Sequence, residues 1–180
     1  MVDRVDKVIQ EWSRRRADLD PSAIAVVARV LRASHHLQAA LDGVAATYGL
    51  SHQGDLEALA ELYRVGPERG LTPTELAKAG LLTAGGMTVR LHRLERAGLI
   101  KRHPNPSDGR GVLVRLTPVG VKLVGHALPV LFDTQDRSIQ GLTAPERRQL
   151  ADLLRVVLEG LGDVSLLPAP DWHTEDPDEG

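Results

Sequence analysis

The chain has 180 residues, of which 42% are hydrophobic and 26% are charged, and its formal net charge is −2. This length and composition are typical of one globular domain with a sizeable core. The absence of cysteine excludes a disulfide framework, a cysteine-ligated zinc site and thiol-based redox sensing. No apolar run approaches the roughly 18 residues of a membrane span, and the first residues do not resemble a signal peptide. We therefore expect a cytoplasmic protein that has no membrane partner.

The N-terminal third of the sequence predicts three helices. Apolar residues at helical spacing indicate an amphipathic helix over residues 4–17. A long helix is predicted between the start signal Asp20-Pro21 and the stop signal Gly49. Ser51 is placed to begin the next helix, which is expected to end near Gly66.

Residues 71–117 predict two short helices followed by a β-hairpin. Thr72 is placed to cap the first helix, with proline at its first position and glutamate three residues after the cap. Thr83 is placed to cap the second helix, and Gly98 to end it in a left-handed conformation. Two apolar runs then flank a loop rich in proline, asparagine, aspartate and glycine, which is typical of a hairpin. This order predicts a winged helix-turn-helix over residues 51–117.

The charge distribution supports the same interpretation. Residues 84–116 contain seven basic and two acidic side chains, a net charge of +5, which leaves −7 for the rest of the chain. A basic element on an acidic body is the pattern of a protein that places one face on a phosphate backbone. The sequence therefore predicts double-stranded DNA as a partner.

The C-terminal part predicts two further helices and a polar tail. Thr117-Pro118 begins one helix, and the capping box that starts at Thr143 begins the last. The terminal helices, in residues 4–48 and 118–162, carry more aliphatic residues than the DNA-binding part needs, so we expect them to form a homodimer. The tail, residues 163–180, has six acidic residues and three prolines, and we expect it to be disordered.

Three stretches of the chain resemble the MarR family of bacterial transcriptional regulators: LTPTEL at 71–76, RLERAGL at 93–99, and the wing DGRGV at 108–112 with LTPVG at 116–120. The resemblance covers roughly residues 5–162, and it places a MarR-type domain in residues 1–162. It implies a mainly α-helical dimer that binds a pseudo-palindromic operator. Members of the family usually repress transcription and release DNA when a small molecule binds.

The predicted DNA-binding residues lie at the start of the second short helix and in the hairpin. Small residues at the start of a recognition helix let the backbone approach base edges. Arg110, at the hairpin tip, suits a narrow minor groove, and Asp108 can orient its guanidinium. The family resemblance implies the same two roles. The predicted set is Thr83, Ala84, Gly85, Gly86, Thr88, Arg93, Arg102, Asp108 and Arg110.

The chain also resembles the urate-responsive branch of the family, which implies ligand-binding roles for Trp12, Asp55, Arg90 and Arg102. A flat anion needs an aromatic or apolar wall and two guanidinium groups. Asp55 can pair with Arg90, so an anion that competes for Arg90 would pull the recognition helix away from DNA. We expect a small anionic aromatic effector such as urate, although phenolic acids need the same cleft. Alternatively, Trp12 fills the dimer core and the arginines contact phosphate.

The sequence contains no nucleophile elbow, phosphate loop or metalloprotease motif, so no catalytic residue and no cofactor is predicted. His35 and His36 are adjacent on a helix and point about 100° apart, which disfavours a shared metal ion. We predict no metal site. The alternatives are a metal-responsive regulator of the same fold and a DNA-binding protein that has no ligand.

Overall fold

The computed structural model describes residues 2–80, 84–105 and 111–163. Those up to Ser138 form one compact unit, and those from Ile139 form a second. The fold is mainly α-helical with a two-stranded antiparallel sheet, which confirms the predicted fold class. In chain order the elements are α1 (Arg4–Arg15), α2 (Ser22–Thr47), α3 (Gln53–Val65), α4 (Pro73–Ala79), α5 (Ala84–Arg96), β1 (Ile100–Pro104), β2 (Val112–Leu116), α6 (Pro118–Ser138) and α7 (Ala144–Gly160).

Local capping interactions define most helix ends as the sequence predicts. At the start of α4, the Thr72 hydroxyl accepts from the Glu75 amide at 3.2 Å, and Glu75 Oε2 accepts from the Thr72 amide at 2.7 Å. The Thr72 amide and hydroxyl lower the pKa of Glu75. An equivalent capping box begins α7 at Thr143. Gly98, with φ of 69°, ends α5 in the left-handed conformation that favours glycine.

The predicted start of α3 at Ser51 was wrong, because the helix begins at Gln53. Ser51 provides no side-chain cap, and its amide instead donates to Asp55 Oδ2 at 3.3 Å. The Gln53 amide donates to Asp42 Oδ1 at 2.7 Å. The first amide of α3 is thus satisfied by a carboxylate from α2, which lies 11 residues earlier. Helix α2 likewise begins one residue later than predicted, at Ser22, whose amide donates to the Asp20 carboxylate at 2.9 Å.

The core of the first unit lies between α2, α3, α4, α5, α6 and the hairpin. Its fully buried side chains include Leu56, Leu59, Leu62, Leu76, Met87, Leu91, Leu94, Val114 and Val124. Within the hairpin, Ile100 pairs with Leu116 and Pro104 with Val112. Leu71 exchanges two backbone hydrogen bonds with Val114, at 3.0 and 2.7 Å. This bridge fastens the middle of β2 to the segment that leads into α4.

The second unit contains α7 and its capping box. The Arg147 guanidinium donates to the Leu142 carbonyl at 3.1 Å, which ties the first turn of α7 to the preceding turn. The aliphatic residues of α7 that the sequence pattern places on one stripe are half-exposed to exposed. Across both units, none of the described helices is long and apolar enough to cross a bilayer.

Candidate nucleic-acid interface

The first turn of α5 presents small side chains on an exposed face. Gly85, Gly86, Thr88 and Val89 are exposed, whereas Met87 is buried. A Cβ added at Gly85 would meet nothing within 4 Å, so this part of the backbone is open to an approaching partner. Met87, Leu91 and Leu94 anchor the opposite face of α5 in the core. The predicted DNA-facing residues that the structure describes here therefore share one accessible surface.

Asp55 links α3 to α5 and is 1% exposed. Arg93 Nη2 donates to Asp55 Oδ1 at 2.5 Å, and Arg93 Nε donates to Oδ2 at 3.0 Å. Arg90 Nε lies 3.5 Å from the same Oδ1, which is an ion-pair distance. The two hydrogen bonds from Arg93 satisfy both oxygens of the buried carboxylate. The hydrogen bond from Arg93 to Asp55 raises the pKa of Arg93.

The predicted pairing of Asp55 with Arg90 is present, but Arg93 makes the closer contact. Sequence reasoning assigned Arg93 to DNA and did not connect it with Asp55. Arg90 and Arg93 are three residues apart, which places both on one face of a helix. This spacing could have indicated the contact between Arg93 and Asp55, since it lets two arginines reach one carboxylate.

The side chain of Arg90 is 14% exposed, and it meets both the first turn of α3 and a cavity. Its guanidinium lies against the backbone of Gly54, in the first turn of α3. Its side chain also lines a cavity of about 640 Å³ between α3, α4, α5 and α6. The wall of this cavity is mostly apolar, and its lining includes Tyr63, Met87, Leu131 and Phe132. The same cation therefore contacts a buried carboxylate and an apolar cavity.

The other predicted ligand residues lie on different elements. Arg102, on β1, has its Nε 3.3 Å from Glu95 Oε2 of α5. Trp12 lies on α1 and is 47% exposed. The structure thus brings Asp55 and Arg90 together, whereas Arg102 is paired with a different carboxylate and Trp12 belongs to the helix that packs on α2.

Several predicted positions fall outside the described residues. They are Thr83, Asp108 and Arg110, together with all of the predicted acidic tail after Asp163. Ala84 is the first residue of α5, and the structure describes its backbone only. In the described ranges, no group of three histidine, aspartate or glutamate side chains is arranged to hold a metal ion. The His35 and His36 rings meet edge to face, with centroids 5.6 Å apart.

The succession α4, α5, β1, β2, with an exposed first turn on α5 and its other face in the core, defines a winged helix-turn-helix protein. The sequence profile of the MarR family matches residues 48–111. The chain is 30% identical over 150 residues to the HTH-type transcriptional regulator PecS of Dickeya dadantii, an alignment that covers 83% of this chain and 90% of PecS. The chain belongs to the MarR family, and it is a DNA-binding transcriptional regulator.

Solved structures of relatives agree with this assignment. Sco3205, a MarR family transcriptional regulator from Streptomyces coelicolor solved in complex with DNA, superposes with a TM-score of 0.72. It is 28% identical, and the match covers 79% of this chain and 89% of Sco3205. A MarR variant from E. coli, complexed with operator DNA, gives a TM-score of 0.69 at 27% identity, with 77% of this chain and 96% of that chain covered.

The Asp55 ion pair generates a stability prediction. Asp55→Asn should lower the free energy of unfolding by about 3 kcal/mol, because it leaves two arginines beside a neutral buried group. Glu61→Gln is the matched control, since Glu61 pairs with Arg64, whose side chain is 69% exposed. That change should cost less than about 1 kcal/mol. Urea unfolding followed by circular dichroism measures both free energies of unfolding. Equal losses would show that the Asp55 ion pair stabilises the fold no more than the surface pair does.

Proposed function

We propose that this chain is a ligand-released repressor that binds a pseudo-palindromic operator as a homodimer. The main support is the position of Asp55, which holds the recognition helix α5 to α3 through Arg93 and Arg90. A helix held by a buried ion pair has an orientation that a competing anion can change. The open first turn of the same helix is suited to DNA. DNA contact and ligand response can therefore act through one element.

The DNA-binding part of the proposal uses α5 and the hairpin. Gly85, Gly86 and Thr88 would face the major groove, together with the predicted Thr83 and Ala84. The wing residues Asp108 and Arg110 would enter the minor groove, and Arg102 is a candidate for phosphate. Arg93 would serve DNA binding mainly by fixing α5 through Asp55. Its guanidinium is partly exposed and would lie near the DNA backbone. Sco3205 and the E. coli MarR variant, both solved with DNA, support this use of the fold.

The dimer is supported by apolar side chains that the described chain leaves exposed. Helix α7 has 17 residues and none of them is buried. Leu153 is 60% exposed, Leu158 is 45% exposed and Leu161 is 78% exposed. An amphipathic helix that has not buried its apolar stripe requires a partner surface. A second copy of this chain supplies one, and its two-fold symmetry matches half-sites roughly 34 Å apart on a pseudo-palindrome.

The effector part of the proposal places a small anionic aromatic molecule, such as urate, beside Arg90. The cavity next to this arginine offers an apolar wall for a flat ring. An anion there would compete with Asp55 for the Arg90 guanidinium, which is held at an ion-pair distance of 3.5 Å. Arg102 would join only after leaving Glu95, and Trp12, which lies on α1 and does not line this cavity, would supply an aromatic wall only after moving toward it. A phenolic acid or another small carboxylate has the chemistry for the same position.

The wing assignment predicts the behaviour of Arg110→Ala. The variant should bind the operator roughly tenfold more weakly, because a minor-groove arginine is lost, while its circular dichroism spectrum stays the same. The measurement is fluorescence anisotropy with the duplex found upstream of the chain's own gene, at several salt concentrations. Arg64→Ala removes one positive charge from the exposed surface of α3 and should bind as the parent does. Equal affinities for Arg110→Ala and the parent at the same salt would remove Arg110 from the interface.

The dimer assignment predicts that Leu158→Glu gives a monomer with strongly reduced operator affinity, because it places a charge in the apolar stripe of α7. Light scattering coupled to gel filtration measures the mass directly. Val2→Glu is the control, since Val2 is 71% exposed and precedes the helices assigned to the dimer. A dimer that survives Leu158→Glu would place the interface elsewhere.

The effector assignment predicts that urate at millimolar concentration releases the parent from its operator and quenches Trp12 fluorescence, measured with Trp172→Phe as the background. Arg90→Ala should bind the operator about fivefold more weakly than the parent and lose the release, because it removes both the tie between α5 and α3 and the competition for Arg90. Salicylate and acetate serve as comparison anions. If no anion releases the parent, the chain is a DNA-binding protein without an anionic effector.

A further inference from the structure

The guanidinium of Arg90 occupies the space that a side chain at position 54 would need. A Cβ built on Gly54 would lie 2.2 Å from Arg90 Nη2, 2.6 Å from Cζ and 2.7 Å from Nη1. These three guanidinium atoms are its nearest neighbours, so the conflict is with the end of one flexible side chain. The backbone of Gly54 therefore forms a flat seat, and a planar guanidinium can lie on it.

The backbone conformation gives no reason for glycine at this position. Gly54 is in the first turn of α3 and does not have the positive φ that favours glycine. Glycine weakens a helix relative to alanine. Gly43, in α2, is a useful contrast, because a Cβ added there would meet nothing within 4 Å. What distinguishes Gly54 is the side chain that lies on it.

We propose that Gly54 is a positioning residue that seats the Arg90 guanidinium on α3, beside Asp55, and so sets the balance between operator binding and effector release. Asp55 alone does not hold Arg90 tightly, because Arg93 takes both carboxylate oxygens and Arg90 Nε stays 3.5 Å away. The contact with Gly54 supplies the rest of the restraint. This inference rests on the proposed function in one respect, namely that Arg90 is the side chain that the effector moves.

Arg90 has two places for its guanidinium in this scheme. One is the seat on Gly54, which ties α5 to α3, and the other is the adjoining cavity that Arg90 also lines. A methyl group at position 54 closes the first place and leaves the second open. Because the displaced group is a flexible side-chain end, the fold can accept the change. The Arg93 contact with Asp55 stays in place, so α5 is loosened and not released.

Gly54→Ala therefore shifts both activities, in opposite directions. Operator affinity should fall roughly fivefold, as is typical of a coupling between two sites. Urate should act at a lower concentration, because the protein no longer has to move Arg90 from its seat before the ligand binds. A merely structural role for Gly54 would lower operator affinity without increasing the sensitivity to urate.

The test compares the full-length parent with Gly54→Ala, Arg90→Ala, the double variant and Gly43→Ala. The first measurement is the rate at which a dicarbonyl reagent modifies Arg90, read by peptide mass spectrometry. Gly54→Ala should raise this rate about tenfold, because an arginine that is 14% exposed becomes accessible. The rate at Arg93 should not change, and Gly43→Ala should leave both rates as in the parent. An unchanged rate at Arg90 in a folded Gly54→Ala protein overturns the proposal.

The second measurement is a double-mutant cycle on operator affinity. If Gly54 acts through Arg90, the double variant binds as Arg90→Ala does, because the methyl group no longer meets a guanidinium. Additive losses would contradict the proposal. The chemical-modification assay contains neither DNA nor urate. Failure of the proposed function would therefore appear as no operator binding or no urate release in the parent, while the accessibility of Arg90 still decides the role of Gly54.

Discussion

The buried carboxylate of Asp55 is the constraint on which the DNA-binding unit depends. A charge that is 1% exposed is costly unless it is paired and hydrogen-bonded. Here Arg93 satisfies both oxygens, Arg90 adds a second cation, and the Ser51 amide completes the set. Because the cations come from α5 and the carboxylate from α3, the rotation of the recognition helix about its axis is fixed together with the pair. Burial of Met87, Leu91 and Leu94 sets the same rotation independently.

This arrangement divides α5 into two working faces. The outer face carries small residues in its first turn, where a DNA backbone and base edges can come close. The inner face carries aliphatic anchors and the two arginines. An effector can shift the equilibrium only as far as it binds one state better than the other. Arg90 provides that difference in the proposed mechanism, since its charge can be used by Asp55 or by an anion in the cavity but not fully by both.

The charge and the apolar surface of the chain fit the same scheme at larger scale. Residues 84–116, which form the recognition helix and the hairpin, carry a net charge of +5 in a chain whose net charge is −2, so an approaching duplex is attracted to this segment. In the proposed dimer, the unburied aliphatic stripe of α7 provides the surface for the second copy. A dimer would then present two basic elements to two half-sites, and a ligand that loosens α5 in each copy would weaken both contacts together.

The sequence by itself determined the helix-turn-helix-hairpin order and most helix ends, because capping is local. Thr72 and Glu75 are three residues apart, and Gly98 needs no distant partner to adopt its left-handed conformation. The start of α3 was misplaced because its cap comes from Asp42 in another helix. Tertiary structure also decided which arginine takes Asp55. Arg90 and Arg93 lie on the same helix face, 35 and 38 residues from Asp55, and only the packed rotation of α5 brings Arg93 to both oxygens. The contact between Arg90 and Gly54 also depends on tertiary structure, since the sequence does not show which side chain will lie on a glycine until two helices pack.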